Sequence, residues 1–127
     1  DAAELLALWR QCGLRVRSPE TVAEELEAVL GLHPDLVQVA VSGDSIVGSV
    51  LGTFDGRRGW VSRLATRPDR RAEGIGSALL QAVEDGVRAL GGRRVNLLID
   101  AEDYPLVDYY GAHGYAAEDL IFLAKEL

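Results

Sequence analysis

The 127 residues suffice for one domain with a buried core, and 48% hydrophobic against 26% charged residues is an ordinary balance for a soluble globular chain. A net charge of −7 repels phosphate backbones and argues against nucleic acid as the main partner, while tolerating a cationic or amine one. No apolar run reaches the length of a membrane span, and the single cysteine, Cys12, can form neither an internal disulfide nor a metal cluster.

A reducing cytoplasm is therefore the expected setting, with no metal and no membrane partner. Twelve arginines to one lysine, Lys125, fit a GC-rich bacterial genome. Nothing at the start resembles a signal peptide, and the chain opens directly in a helical pattern, so an earlier segment is expected to have been lost.

Residues 2–12 place Leu5, Leu8, Trp9 and Cys12 on one helical face, and Gly13 stops that helix. Cys12 ends the apolar face and reads as a buried structural thiol. Ser18-Pro19-Glu20-Thr21 opens a second helix with Ser18 as N-cap and Pro19 at the first helical position. Its apolar face is Val22, Leu26, Val29 and Leu30; Gly31 ends it and Pro34 excludes continuation.

Three strands are predicted next. Leu36–Val41 is followed by the turn Ser42-Gly43-Asp44. Ser45–Phe54 carries Gly48 and Gly52, which suggest a bulge or a close backbone approach. After the hairpin loop Asp55–Gly59, Trp60–Thr66 forms the third strand, ended by Pro68. Residues 74–90 read as a long helix with Ile75, Leu79, Leu80, Val83, Val87 and Leu90 on one side. Val95–Ile99 is expected to be a strand buried on both faces, Leu106–His113 a short helix, and Leu120–Ala124 a last strand. The order α-α-β-β-β-α-β-α-β predicts a single α/β domain over 1–127, with a mixed, mostly antiparallel sheet and helices on both faces.

The segment with chemical content is Leu64-Ala65-Thr66-Arg67-Pro68-Asp69-Arg70-Arg71-Ala72-Glu73-Gly74-Ile75-Gly76-Ser77. A strand runs through a basic loop into a helix whose start holds two glycines. Unpaired backbone N–H groups and a partial positive charge collect at such a start. Gly74 and Gly76 let a diphosphate approach that backbone, and Arg71 adds a charge at the mouth. Alone, Gly-x-Gly reads equally well as a tight strand-to-helix turn. A P-loop needs a lysine after its last glycine, which is absent, and the dinucleotide fingerprint needs a glycine where Leu79 stands.

Arg71-x-x-Gly74-x-Gly76, after an extended Leu-Ala-Thr-x-Pro stretch, resembles the acetyl-CoA pyrophosphate loop of the GNAT N-acetyltransferase superfamily. Downstream, Asp103-x-x-Leu106-x-x-Tyr109-Tyr110-x-x-x-Gly114-Tyr115 resembles the family's Asn-x-x-Ala-x-x-(aromatic)-Tyr-x-x-x-Gly-Phe segment, one helix and one strand later. The Asp55–Trp60 loop also resembles that of a subgroup of small bacterial members.

The resemblance implies a GNAT-like fold and transfer of an acetyl group from acetyl-CoA to an amine, the acceptor being a small molecule or a protein. It implies that the strand at Leu64–Thr66 splays at a bulge. Leu64 and Thr66 would pair with the pantetheine amides, and a backbone N–H near Ala65 would face the thioester oxygen. Arg71, Ala72, Glu73, Gly74, Ile75, Gly76 and Ser77 would bind the diphosphate. Tyr110 would be the general acid and also line the cofactor, with Tyr109 facing elsewhere as packing. Arg63, Arg67 and Arg70 read as solvated charges.

Asp103 replaces the family's asparagine; it can cap the short helix but loses the amide donor to the cofactor arm. Trp60 stands where some members place a glutamate base. Asp55, Asp100, Glu118 or a water chain are substitutes between which the sequence does not choose, and His33 and His113 read as surface or capping residues. The family's usual first strand would precede Asp1, and only a short stretch follows Gly114, so the acceptor side is either open or completed by a second chain, such as a homodimer partner. The missing carboxylate and Asp103 keep one alternative: a non-catalytic module that binds acetyl-CoA or CoA as a sensor or assembly partner.

Overall fold

The structure is a computed structural model that describes residues 2–100, 103 and 105–127. Helix α1 spans Ala2–Gln11 and α2 Pro19–Leu32. Strands β1 (Val37–Ser42), β2 (Ser45–Phe54) and β3 (Gly59–Thr66) follow; then come a 3-10 segment (Pro68–Glu73), α3 (Ile75–Ala89), β4 (Val95–Leu97) and α4 (Leu106–Gly111). No helix is long and apolar enough to cross a membrane among the described residues.

Local chemistry sets several of these boundaries. Ser18 caps α2, its hydroxyl accepting from the Thr21 N–H at 3.2 Å, with Pro19 at the first helical position. The expected stop at Gly31 is overrun by one residue, because a glycine weakens a helix without breaking it, whereas Pro34 cannot continue it. Asp55 ties the β2–β3 hairpin: one carboxylate oxygen accepts from the Arg57 and Arg58 N–H groups, each at 2.9 Å.

The sheet order is β1-β2-β3-β4, antiparallel except for the parallel β3–β4 pair. Both faces are covered, and each has its own core. On one, α1 and α2 bury Leu5, Leu8, Trp9, Val22 and Leu26 against Leu51 and Ala65. On the other, α3 buries Leu79, Leu80, Val83 and Val87 against Leu36, Val50 and Val61. Each fully buried Leu or Val contributes about 2 kcal/mol of transfer free energy.

The two glycines inside β2 seat α3. A Cβ on Gly48 would lie 2.8 Å from Ile75 Cγ2, and one on Gly52 2.8 Å from Val83 Cγ1. Close approach is thus their role, and Gly48 also borders a register shift with β1. That contact sets where α3 begins, and with it the Gly74–Gly76 turn.

Two expectations are corrected. Leu120–Ala124 joins no sheet: the tail from residue 120 onward has no strand ladder, and Leu120, Ile121 and Leu123 are 80–87% exposed. β-Propensity needs a partner edge, and β4 offers a ladder of only three residues, Val95–Leu97, rather than the expected Val95–Ile99. β4 is half-buried throughout, and Leu98 beyond it is exposed.

Candidate functional site

β3 pairs with β4 only through Gly59, Trp60 and Val61. From Ser62 onward its outer edge is free of β4, so the two strands part. The parting coincides with a bulge on the other side, where Arg63 and Leu64 together oppose Val50 of β2. Arg63 adopts φ 54°, the left-handed region that non-glycine residues seldom occupy.

Past the bulge the ladder resumes. The Arg67 N–H donates to Val47 O at 2.8 Å, and Ser49 faces Ala65. By antiparallel alternation Ala65 turns its N–H to β2, and Thr66 turns away toward the free edge. The Ala65 N–H itself is therefore spent inside the sheet. On the free edge, the Thr66 carbonyl accepts from Arg71 Nε at 3.2 Å and from Cys12 Sγ at 3.3 Å. The half-buried Cys12 is thus a structural thiol packed on the α1 core.

The basic loop sorts its charges. Arg70 grips Glu73, one of two contacts being 2.9 Å, and reaches Ser42 Oγ at 3.0 Å; Arg67 pairs with Asp69 at 2.7 Å. The Arg70 hydrogen bond holds the Glu73 carboxyl below its ordinary range, and the Arg67 hydrogen bond does the same for Asp69. Arg67 and Arg70 are thus structural partners rather than merely solvated charges. Arg71 forms no ion pair among the described residues.

Gly74 sits at φ 80°, with open space where a Cβ would be. Its αL turn aims the first N–H groups of α3 outward, and no carboxylate lies in that first turn. Ala72, Glu73, Gly74 and Ser77 are exposed, and Ile75 and Gly76 half-buried. These residues fit a diphosphate: backbone donors, an Arg71 guanidinium held by the Thr66 carbonyl but outside any ion pair among the described residues, and a Glu73 whose charge is balanced by Arg70.

Two residues that the sequence left aside reach this turn. A Cβ on Gly76 would lie 2.7 Å from the Tyr109 hydroxyl and 3.5 Å from Thr66 Oγ1. Tyr109 therefore belongs to the turn's surroundings and is not confined to packing. His113 Nδ1 lies 2.9 Å from Tyr109 O and Nε2 2.8 Å from Ser77 Oγ. A carbonyl only accepts, so Nδ1 donates to Tyr109 O, while Nε2 shares a hydrogen bond with the Ser77 hydroxyl. The one sequence signal for these contacts was that Tyr109, Tyr110 and His113 share one short helical stretch; nothing local said that it would fold back on α3.

Tyr110 is half-buried against the α3 core, its ring edge-on to those of Tyr109 and Tyr115 at 5.2 and 5.9 Å. Burial, then the neighbouring Tyr109, push its phenol up to about 12. Asp103 is exposed and does not cap α4: the N-cap is Pro105, without a side-chain hydrogen bond.

The candidate bases are all engaged. Asp55 is fixed in its hairpin, where the Arg58 and Arg57 N–H groups lower its pKa, and Trp60 Nε1 donates to it at 3.4 Å. Asp100 lies 3.9 Å from Arg15, and Glu118 pairs with Arg94.

Comparison with known proteins agrees with this arrangement. The sequence pattern described as "Acetyltransferase (GNAT) family" matches residues 2–115. An acetyltransferase of Yersinia pestis is 32% identical over the whole chain and 89% of its own length; one of Pectobacterium atrosepticum is 33% identical with the same coverage. Among solved structures, an aminoglycoside 6'-N-acetyltransferase of Acinetobacter haemolyticus superposes with a TM-score of 0.80 over 98% of this chain and 92% of its own, at 14% identity. A probable acetyltransferase of Staphylococcus aureus gives 0.74 over 99% and 91%, also at 14% identity. With its sheet, its glycine turn and both sequence motifs in the family's order, the chain belongs to the GNAT family of acetyltransferases.

Proposed function

We propose that this chain moves the acetyl group of acetyl-CoA directly to an amine, without an acyl-enzyme intermediate. The observation that carries the reading is the β3 edge freed from β4 and leading through the 3-10 segment Pro68–Glu73 into the Gly74–Gly76 turn. Bound there, acetyl-CoA supplies a thioester carbonyl already activated for acyl transfer.

The protein's own groups hold and polarise it. Arg71 and the N–H groups of Gly74 to Ser77 take the diphosphate. The free edge at Leu64 and Thr66 pairs with the amides of the cofactor arm, and an N–H outside the β2 ladder faces the carbonyl oxygen. Asp103, at the family's asparagine position, would meet the cofactor arm without an amide donor.

Tyr110 is the proton-side residue. A phenol held at about 12 remains protonated at neutral pH. Handing that proton fully to a thiolate of pKa about 8.5 would be uphill by roughly 5 kcal/mol, so Tyr110 stabilises the leaving sulfur through a hydrogen bond. Tyr110→Phe should lower kcat about 10- to 100-fold, with acetyl-CoA affinity unchanged by calorimetry. An unchanged kcat would make Tyr110 a packing residue. Because its folded-state pKa is raised, the stability it contributes is intact below pH 10 and is lost as pH rises toward about 12. Thermal melts across that range should show a smaller loss in Tyr110→Phe than in wild type, the remainder belonging to Tyr115, whose phenol burial also raises.

With Trp60 where some members place a glutamate base, and Asp55, Asp100 and Glu118 beside basic or backbone partners, the amine loses its proton to solvent. kcat/KM should then rise with pH along each acceptor's own ionisation. A single inflection common to amines of different pKa would reveal a protein base instead.

Net charge −7 favours a cationic acceptor. The named relatives are acetyltransferases, which favours turnover over a binding-only module. The test is thiol release from acetyl-CoA with a panel of amines, beside calorimetry with acetyl-CoA, CoA and ATP. Binding of the two CoA species without turnover on any amine would sink the catalytic reading.

A further inference from the structure

Among the described residues Ser49 is the buried polar side chain, 1% exposed, and Trp9 beside it is fully buried. The Trp9 Nε1–H donates to Ser49 Oγ at 2.8 Å, and the Ser49 hydroxyl donates onward to Arg63 O at 2.9 Å. The Arg63 side chain lies over the Trp9 ring, 4.8 Å from its centroid. Its guanidinium donates to Arg15 O at 2.7 Å and to Glu25 Oε2 at 3.3 Å. One bulge residue is thus tied through its carbonyl to α1 and β2, and through its side chain to α2 and the loop between the helices.

The Arg63–Leu64 peptide is planar and trans. A trans peptide points its C=O and N–H in opposite directions. Fixing Arg63 O on the Ser49 hydroxyl therefore fixes the direction of the Leu64 N–H, away from Ser49. Burial makes the constraint strict, since releasing Ser49 would strand its hydroxyl and the Trp9 N–H without water. A local account of the bulge does not need this relay: a glycine at 63 would hold φ 54° without steric cost. Arginine there takes a strained backbone and returns three contacts, to α1, to α2 and to the loop between them.

We propose that Trp9, Ser49 and Arg63 form a positioning relay that aims the Leu64 N–H at the thioester oxygen; the proposal rests on the acetyl-transfer reading above. Neither Ser49 nor Arg63 touches the reacting atoms. They act through the peptide between Arg63 and Leu64.

The experiment compares wild type, Ser49→Ala and Arg63→Gly in three measurements: kcat and KM with a turned-over amine, acetyl-CoA affinity by calorimetry, and the Leu64 amide resonance of the free protein by NMR. Both variants should lower kcat about tenfold or more, hold acetyl-CoA affinity within about twofold, and shift the Leu64 amide. Arg63→Gly keeps the backbone conformation accessible, so it stays informative if Ser49→Ala folds poorly. Wild-type kcat and an unmoved Leu64 amide in Arg63→Gly would overturn the proposal. So would equal losses in kcat and acetyl-CoA affinity, which would make the relay part of general stability. If wild type turns over no amine, the acetyl-transfer reading falls by itself, and the relay stands or falls on the Leu64 amide alone.

Discussion

Gly76→Asp is expected to remove acetyl-CoA binding while leaving the protein folded. The new Cβ would lie 2.7 Å from the Tyr109 hydroxyl, which must swing aside. The carboxylate then stands among the N–H groups meant for a diphosphate. Two like charges about 4 Å apart at a protein surface repel by roughly 4 kcal/mol, enough to weaken binding at least about 100-fold. The same charge suits the helix: an acidic residue in the first turn complements its dipole by about 0.3–1 kcal/mol, and the first turn of α3 now holds none. Affinity and stability should therefore move in opposite directions. Calorimetry with acetyl-CoA and a thermal melt on the same sample read both. Gly76→Ala separates bulk from charge, since it adds only the methyl group that Tyr109 must accommodate. Unchanged acetyl-CoA affinity in Gly76→Asp would reduce the Gly74–Gly76 turn to a structural connection.

The largest loss of stability should come from Trp9→Ala. Trp9 is fully buried, and its ring is packed between the helical layer and the sheet. Truncating a buried aromatic costs about 3–5 kcal/mol from lost transfer energy and the cavity left behind. Here the cost grows, because Ser49 loses its donor and the Arg63 guanidinium loses the ring beneath it. A domain of this size has about 5–15 kcal/mol in total. The melting temperature should fall by about 10–20 °C, with a matching drop in the urea midpoint. Trp60→Ala, at a half-exposed position on β3, should cost far less. Equal losses at the two tryptophans would mean that burial of the Trp9 ring does not dominate.

Local chemistry made the helices, the three antiparallel strands and the glycine turn legible before any coordinates. Apolar spacing along Leu5, Leu8 and Trp9, and along Leu79, Leu80, Val83 and Val87, reports which face a helix must bury. Ser18-Pro19 fixes a helix start because a side chain there meets backbone N–H groups two or three residues on. Arg71-x-x-Gly74-x-Gly76 was readable for the same reason: strand, turn and helix start are consecutive, so their chemistry is encoded within a few residues.

What tertiary structure decided lies between segments far apart in the chain. Leu120–Ala124 has strand composition, yet a strand is made by a partner edge, and β4 ladders over only three residues. Arg63 reads as a solvated surface charge until the fold lays it over Trp9, more than fifty residues earlier, and Ser49 reads as an ordinary polar residue until it is found fully enclosed. Tyr109 and His113 come to Gly76 and Ser77 only because the chain after β4 folds back on the start of α3. The sequence by itself determined the glycine turn proposed to hold a diphosphate, because backbone donors and their glycines are local. The direction of the Leu64 N–H was decided by the fold, because the peptide before it is held by a hydrogen bond from another strand.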